Sequence, residues 1–214
     1  MIARIRNAGL PGALLAGMLA VAGLLAAFLV LNPAPADAQD AEIVPLKIGY
    51  LDIEDDIRYV RAFVYARIPA VPVFRPLPGA EQGILDAKST GQFLGLDYEL
   101  VPFQGADADE LIAAIFQMRD EQGIRFFLVD GQTQIIRALT EATRDEGIVL
   151  LNVNNSNDGL RSEYCASHLL HTAPSYNMLM DALTQYLVFQ NWTRLLVLKG
   201  PLEDDAEMVK ALER

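Results

Sequence analysis

Short apolar runs alternate with helix-like stretches along this chain from Leu46 onward. Turn-forming residues bound the runs, and the stretches between them place apolar residues three and four positions apart. Strands that alternate with helices of this kind predict βαβ units, right-handed crossovers and a parallel sheet. The sequence therefore predicts an α/β fold, a parallel sheet with flanking helices. The predicted strands are 46–53, 96–103, 124–129, 148–153, 168–172 and 195–198, and the predicted helices are 80–94, 107–123, 134–146, 175–187 and 203–214.

Apolar stripes and turn formers locate the faces and ends of these helices. We expect Asp107 or Asp109 to cap the second helix, Gly123 to end it, and Ser175 to cap the fourth. Each stripe predicts the helix face that packs on the sheet. The stripes consist of Leu111, Ile112, Ile115, Phe116 and Met118; of Ile135, Ile136, Leu139 and Ala142; and of Leu179, Leu183, Tyr186 and Leu187.

The first 38 residues have the pattern of an export signal. Arg4 and Arg6 precede an uncharged apolar run over residues 10–31, and Ala36-Asp37-Ala38 fits a signal-peptidase site. These features predict a signal peptide over residues 1–38 and a periplasmic location for the rest. The apolar run is also long enough to span a bilayer, so an uncleaved membrane anchor is the alternative.

Residues 54–78 lack the regular alternation. They begin with the acidic run Glu54-Asp55-Asp56, and prolines recur between Pro69 and Pro78. Proline at this density disfavours helix and central strand, so we expect a long extended connection. The acidic run lacks the ligand spacing of a calcium loop, and solvated loop charge is the preferred interpretation.

Composition and motifs exclude several functions. The formal net charge of −11 excludes nucleic-acid binding. Phosphate-binding glycine loops and a G-x-S-x-G elbow are missing from the sequence, which disfavours nucleotide enzymes and α/β hydrolases. Cys165, His168 and His171 have a metal-like spacing, but residues three apart on a strand point to opposite faces. We therefore predict neither a metal nor another cofactor.

Polar residues follow three of the predicted strands. Loops at the carboxyl ends of parallel strands converge on one edge of the sheet, where α/β proteins bind ligands. Amides, hydroxyls and carboxylates in such loops suit hydrogen bonding to a small polar molecule. Taken singly, the same residues also serve in turns and helix caps. They are Asp52 and Glu54 after the first strand, Asp130, Gly131, Gln132 and Thr133 after the third, and Asn154, Asn155, Ser156 and Asn157 after the fourth.

Several of these segments resemble a known family. A leader, a first strand reading KIGY and the segment HTAPS are similar to type I periplasmic solute-binding proteins of ABC transporters, the Leu/Ile/Val-binding class. The stretch ARIPAVPVFRPLPGAEQGILDAK, with FFLVD and LLHTAPS, looks closest to the binding component associated with PQQ-dependent alcohol oxidation systems. The resemblance implies two α/β lobes that close on a ligand.

On this resemblance, residues 39–45 are a mature N-terminal segment and residues 46–172 are the N-terminal lobe, with 54–78 as a Pro-rich insertion. Residues 173–214 would then start a second lobe, so that the sequence would be incomplete at its C-terminus. The implied function is capture of a small polar solute and its delivery to an ABC permease in the inner membrane, without chemistry. The alternatives are a membrane-anchored ligand sensor or partner-binding domain, and a periplasmic hydrolase or lyase.

Five residues are predicted to contact the ligand. Their positions at strand ends select them, and the resemblance adds the match of Asn155 and Ser156 to ligand-contacting positions of the family. Asp130 departs from the family pattern, which has a hydroxyl-bearing pair there for the ligand carboxylate. Because Asp130 would repel an anion, we expect a neutral or cationic ligand. The five are Asp130, Gln132, Asn154, Asn155 and Ser156.

Overall fold

The computed structural model describes residues 43–59, 75–192, 194–201 and 203–214. The predicted leader and most of the proline-rich connection lie outside the described residues. The described part of the protein contains five strands and five α-helices. They are β1 Val44–Ile53, α1 Leu77–Leu94, β2 Leu96–Gly105, α2 Ala108–Gln122, β3 Phe126–Asp130, α3 Thr133–Ala142, β4 Val149–Asn152, β5 Leu169–His171, α4 Tyr176–Phe189 and α5 Glu203–Leu212, with short 3-10 helices at Ile57–Tyr59 and Asp158–Arg161.

All five strands are parallel, in the order β2-β1-β3-β4-β5. The predicted α/β fold with a parallel sheet and flanking helices is confirmed. The chain leaves β1 for one neighbour, β2, and then returns to the other side of β1 as β3. Such a switch in strand order separates the loops that follow the two strands and opens space between them. Asp52 pairs in register with Asp130 across this point.

One face of the sheet forms the core with α2 and α3. Leu51 and Phe127 are fully buried there, and α2 contributes Leu111 and Ile115. Gly49 permits this packing, because a Cβ at its position would lie only 2.3 Å from a ring carbon of Phe127. The predicted stripes of α2 and α3 therefore pack on the sheet as expected.

Helix ends follow the predicted chemistry. The carboxylate of Asp107 accepts a hydrogen bond from the Glu110 amide, and the hydroxyl of Ser175 accepts one from Met178. Gly123 ends α2 with a φ of 71°, in the left-handed region that glycine tolerates. The two predicted caps and the predicted stop are confirmed.

Two helix boundaries differ from the prediction by three residues or more. Helix α1 begins at Leu77 and includes Pro78, since proline fits the first turn of a helix, where its missing N–H has no partner to lose. Helix α3 ends at Ala142, four residues early, and the turn that follows holds Asp145 and Gly147 at positive φ.

The predicted strand 195–198 is wrong. Residues 194–200 have no regular structure, and Leu196 and Leu198 are each 86% exposed. An apolar run forms a strand only where a neighbouring strand pairs with it, and the described sheet ends at β5.

The apolar stripe predicted for α4 is also largely exposed. Leu179, Leu183 and Tyr186 are 39%, 41% and 53% exposed, while Met180 and Leu187 are the buried residues of this helix. The helix contacts α5 instead of the sheet core. Within the described ranges, no helix is long and apolar enough to cross a bilayer.

Candidate functional site

The carboxyl ends of β1, β3 and β4 carry one connected group of polar side chains. We call it the strand-end cluster. It combines residues from the loop after β1, the segment just before α1, and the loops after β3 and β4. Its members are Asp52, Asp56, Arg58, Tyr59, Arg75, Asp130, Gln132 and Asn154.

Asp130 lies at the centre of the strand-end cluster. Its side chain is fully buried, and the register of β1 and β3 places it beside Asp52. Arg58 Nη2 donates to one carboxylate oxygen at 2.9 Å, and the Tyr59 hydroxyl donates to the other at 2.7 Å. The amide of Asn154 lies 3.5 Å from the same carboxylate. These hydrogen bonds engage both carboxylate oxygens of Asp130, so a ligand would contact the surrounding groups before it contacted Asp130.

The acidic run at 54–56 divides into exposed and buried residues. Glu54 and Asp55 are exposed as expected, but Asp56 is only 1% exposed, so solvated loop charge is the wrong interpretation for it. Asp56 accepts from the backbone N–H, Nε and Nη2 of Arg58, the last at 2.6 Å, and from Gln132 at 3.4 Å. Burial alone would raise the pKa of Asp56, but the hydrogen bonds and charge of Arg58 hold it below its usual value.

A second ion pair lies next to the first. Arg75 Nη1 donates to Asp52 at 2.6 Å, and the same guanidinium donates to the carbonyls of Ile53 and Glu54. Burial raises the pKa of Asp52 despite Arg75. The ring of Tyr59 contacts both guanidiniums, with Arg58 at 5.2 Å and Arg75 at 4.9 Å from its centre. These contacts fix the end of the loop after β1 against the start of α1.

Tyr50 adds a buried hydroxyl beneath the cluster. The side chain is 1% exposed, and its hydroxyl has no hydrogen-bond partner within the described ranges. Burial, followed by the charges of Asp130 and Asp52, raises the pKa of Tyr50. The phenol therefore stays protonated and neutral.

The asparagine loop after β4 is held by its own side chains. Asn152 is fully buried, and its Oδ1 accepts from the backbone N–H groups of Asn154 and Asn155. Asn155 Nδ2 donates to the carbonyl of Gly131 and to the hydroxyl of Thr133, and its Oδ1 accepts from Asn157. The amide of Asn155 thus connects the loops after β3 and β4 and has no donor left for a ligand.

Ser156 and Asn154 are two residues of this loop with hydrogen-bonding capacity for a ligand. Asn154 is exposed, and its Nδ2 donates to the Tyr59 hydroxyl at 2.6 Å, so its side-chain oxygen stays available to a ligand. Ser156 is half-buried, and its hydroxyl bonds to none of the described residues, while its carbonyl accepts from the first amide of α4 at Tyr176. The loop therefore joins the strand-end cluster to the start of α4.

The backbone N–H of Tyr176 at the start of α4 contacts this loop, because it donates to the Ser156 carbonyl at 2.9 Å. Burial raises the pKa of the Tyr176 hydroxyl, and the nearby charge and hydrogen bond of Asp204 add to the effect, whereas the positive charge of Arg58 opposes it.

Cys165, His168 and His171 have different surroundings. Cys165 is an exposed free thiol. His168 Nε2 lies 3.0 Å from the carbonyl of Thr140, and His171 Nδ1 accepts from Asn152 at 3.0 Å. In the described part of the protein, no three metal-ligating side chains come together.

Two cavities lie away from the strand ends. One of about 130 Å³ is at the amino end of β1 and β3, beside Pro45 and Phe126. The other, about 550 Å³, lies between the outer face of α3 and the segment that contains Tyr164 and Cys165. No member of the strand-end cluster lines either of these two cavities.

The strand-end cluster unites three of the five predicted contacts. Gln132, Asp130 and Asn154 belong to it, Asn155 supports the loops, and Ser156 lies next to it. Sequence reasoning missed Asp56, Arg58, Tyr59 and Arg75, which belong to the segment interpreted as a structureless connection. The available signal was the mixture of arginine and tyrosine directly after an acidic run.

The described fold is similar to that of solved ABC transporter substrate-binding proteins. One from Desulfitobacterium hafniense in complex with Leu matches with a TM-score of 0.57 and 17% identity, over 79% of this chain and 46% of that chain. One from R. palustris in complex with 4-hydroxybenzoate matches with a TM-score of 0.54 and 10% identity, over 79% and 42%. Another from R. palustris, in complex with benzoate, gives 0.53 and 14%, over 79% and 44%.

At these identities the similarity establishes the fold, and this chain spans a little under half the length of each of these neighbours. Neither a protein-family model nor a curated protein sequence matches the chain.

Proposed function

We propose that this chain belongs to an exported solute-binding protein that captures a small polar ligand at the strand-end cluster and delivers it to an ABC permease. The fold is that of substrate-binding proteins of ABC transporters. The predicted signal peptide supports a periplasmic location. The resemblance to the component associated with PQQ-dependent alcohol oxidation stays a prediction, since part of the stretch that carries it lies outside the described residues.

The observation that carries the proposal is the convergence of three loops on one polar edge. Side chains separated by 70 to 100 residues in the sequence hydrogen-bond to one another there, as in the contacts of Asp130 with Arg58 and of Asn154 with Tyr59. The edge lies at the topological switch point, where proteins of this architecture bind ligands.

The same geometry favours binding over catalysis. A general base needs a lone pair that can reach substrate, but Asp56 and Asp130 are buried and already accept hydrogen bonds from Arg58. The Ser156 hydroxyl and the Asn154 oxygen keep hydrogen-bonding capacity and are neutral, while Arg58, whose side chain is 22% exposed, can only donate. Such groups recognise a ligand without transforming it.

A thermal-shift screen of the full chain against small alcohols, amides, amino acids, carboxylates and sugars tests this function. Each hit is then titrated against two serine variants. Ser156→Ala removes a hydroxyl at the proposed site, and we expect the Kd of the hit to rise about five- to tenfold, as the loss of one neutral hydrogen bond implies. Ser167→Ala removes an exposed hydroxyl at the amino end of β5 and serves as the matched control.

Unchanged affinity in Ser156→Ala together with weakened affinity in Ser167→Ala would show that the ligand binds at the other edge of the sheet and not at the strand-end cluster. Failure to bind any solute in the screen would contradict the proposed function.

A further inference from the structure

The charges in the strand-end cluster do not balance. Arg58 bonds to both Asp56 and Asp130, which are 1% and 0% exposed, so this triad carries one surplus negative charge. Within the described residues, Arg58 is the only cation that bonds to either carboxylate. The neighbouring pair of Arg75 and Asp52 is neutral by itself. The surplus negative charge of the triad is therefore not balanced by a further cation, and it lies on the two carboxylates behind the guanidinium of Arg58.

An anionic ligand would meet this surplus. Arg58 would attract it with one positive charge, but the two carboxylates behind the same guanidinium would repel it. The repulsion is stronger here than in water, because neither carboxylate is solvated. The sequence predicts that Asp130 itself repels an anion. In the structure, the repulsion comes from the net negative charge of the whole triad.

A cationic ligand lacks a buried carboxylate that it can reach within the strand-end cluster, because Asp56 and Asp130 lie behind Arg58. Glu54 and Asp55 are exposed to solvent, where an ion pair contributes little. The amide oxygens that remain do not compensate for the free energy that an ammonium group loses when it is desolvated.

The hydrogen-bond donors that remain at this edge suit an uncharged oxygen atom as acceptor. The bonds of Arg58 to its two carboxylates use Nε and Nη2, and 22% of the side chain is exposed. Ser156 supplies a hydroxyl at the neighbouring loop. These groups can donate to a neutral acceptor without a further charge entering the cluster.

We propose that the triad of Asp56, Arg58 and Asp130 restricts this edge to uncharged solutes that present a hydroxyl, carbonyl or amide oxygen to Arg58. The inference rests on the proposed function, because it assigns a ligand class to the same site. Arg58 is the specificity-determining contact, and the two carboxylates act through it.

Sets of probes with the same shape and different charge test the proposal. Acetamide, acetate and acetamidinium form one set, and benzamide, benzoate and benzamidinium form a second, larger one. Their binding to the full 214-residue chain is measured by ligand-observed NMR at millimolar concentrations. In at least one set we expect the amide to bind about tenfold more tightly than either charged member.

A charge-changing variant tests whether the triad, and not another feature of the site, causes the preference for the uncharged probe. Asp130→Asn removes the surplus charge, and we expect binding of the carboxylate probe to rise at least to that of the amide. Asp56→Asn removes the same charge from the other side of Arg58 and replaces Asp130→Asn if that variant fails to fold, as judged by circular dichroism. Asp86→Asn is the control, since it removes one negative charge from an exposed carboxylate in α1 that bonds to Gln82 and lies outside the strand-end cluster.

The outcomes are distinct. A wild-type preference for acetate, benzoate or either amidinium over the amide overturns the charge restriction and leaves the binding function standing. The same holds if Asp130→Asn and Asp56→Asn keep the wild-type preference, or if Asp86→Asn changes it as much as they do. If neither set binds to the wild-type protein, the hits of the thermal-shift screen decide: a charged solute as the best binder overturns the charge restriction, and the absence of any hit contradicts the proposed function.

Discussion

Arg58 shows how much one side chain organises at the strand-end cluster. It bonds to a carboxylate two residues away and to another 72 residues away. Removing one partner of a buried ion pair costs about 3–5 kcal/mol, because the other charge is left uncompensated. Variants of Arg58 would therefore lose stability along with binding, which is why the tests of the site use its carboxylates and Ser156.

The pKa shifts of two buried carboxylates predict opposite effects of acid. Asp56 has a lowered pKa, so its contribution to stability is complete above the unfolded value of about 3.9 and is lost as the pH falls through its folded pKa. Asp52 has a raised pKa, so the folded state gains stability as the pH falls through that value.

We expect the free energy of unfolding to fall less steeply on acidification in Asp56→Asn than in the wild-type protein, and more steeply in Asp52→Asn. Urea unfolding at a series of pH values between neutral and acid measures both slopes. Parallel curves for Asp56→Asn and the wild type would show that Arg58 does not lower the pKa of Asp56.

These residues also mark the limit of what the sequence could predict. Strand-end position selected Asp130, Gln132 and Asn154 correctly as neighbours, since parallel strands bring their carboxyl ends together. The roles of Asp56 and Arg58 depend on how the loop after β1 folds over Asp130. No local pattern encodes that contact, and an acidic run usually stays solvated.

Whole elements were predicted where local chemistry and packing agree. Helix α2 has a capping aspartate, a terminal glycine and an apolar face on the sheet, and all three were predicted correctly. Residues 195–198 and the stripe of α4 depend on a neighbour to cover them, and within the described ranges they are largely exposed. Apolar periodicity predicts which side chains could be buried, but only the tertiary structure decides which are.

Gly49 offers a test of the sheet packing. An alanine Cβ there would lie 2.3 Å and 2.6 Å from two ring carbons of the fully buried Phe127. We expect Gly49→Ala to lower the free energy of unfolding by about 1–3 kcal/mol, the usual cost of overpacking a core.

Gly83→Ala is the matched control, because nothing lies within 4 Å of its Cβ in α1. It should gain about 0.5–1 kcal/mol from the better helix propensity of alanine. Urea unfolding midpoints compare the two variants, and equal stability of Gly49→Ala and the wild type would mean that Phe127 does not pack against β1 as described.

At the scale of the whole molecule, the sheet is covered unequally. Phe127 and Leu169 are buried against the helices, whereas their neighbours Phe126 and Leu170 on the other face are 41% and 51% exposed. Helix α1 packs against β2 on the described part of the protein. The polar strand-end edge thus belongs to a scaffold whose firmest packing lies under β1, β3 and β4, which keeps the loops of the site in place.

Hydrogen–deuterium exchange of the full protein, with and without the solute that binds best in the screen, tests the central claim most directly. We predict that the solute slows exchange in residues 54–59, 130–133 and 153–157, the loops that form the strand-end edge. Protection confined to the cavity at the outer face of α3, or to the amino ends of the strands, would contradict this prediction.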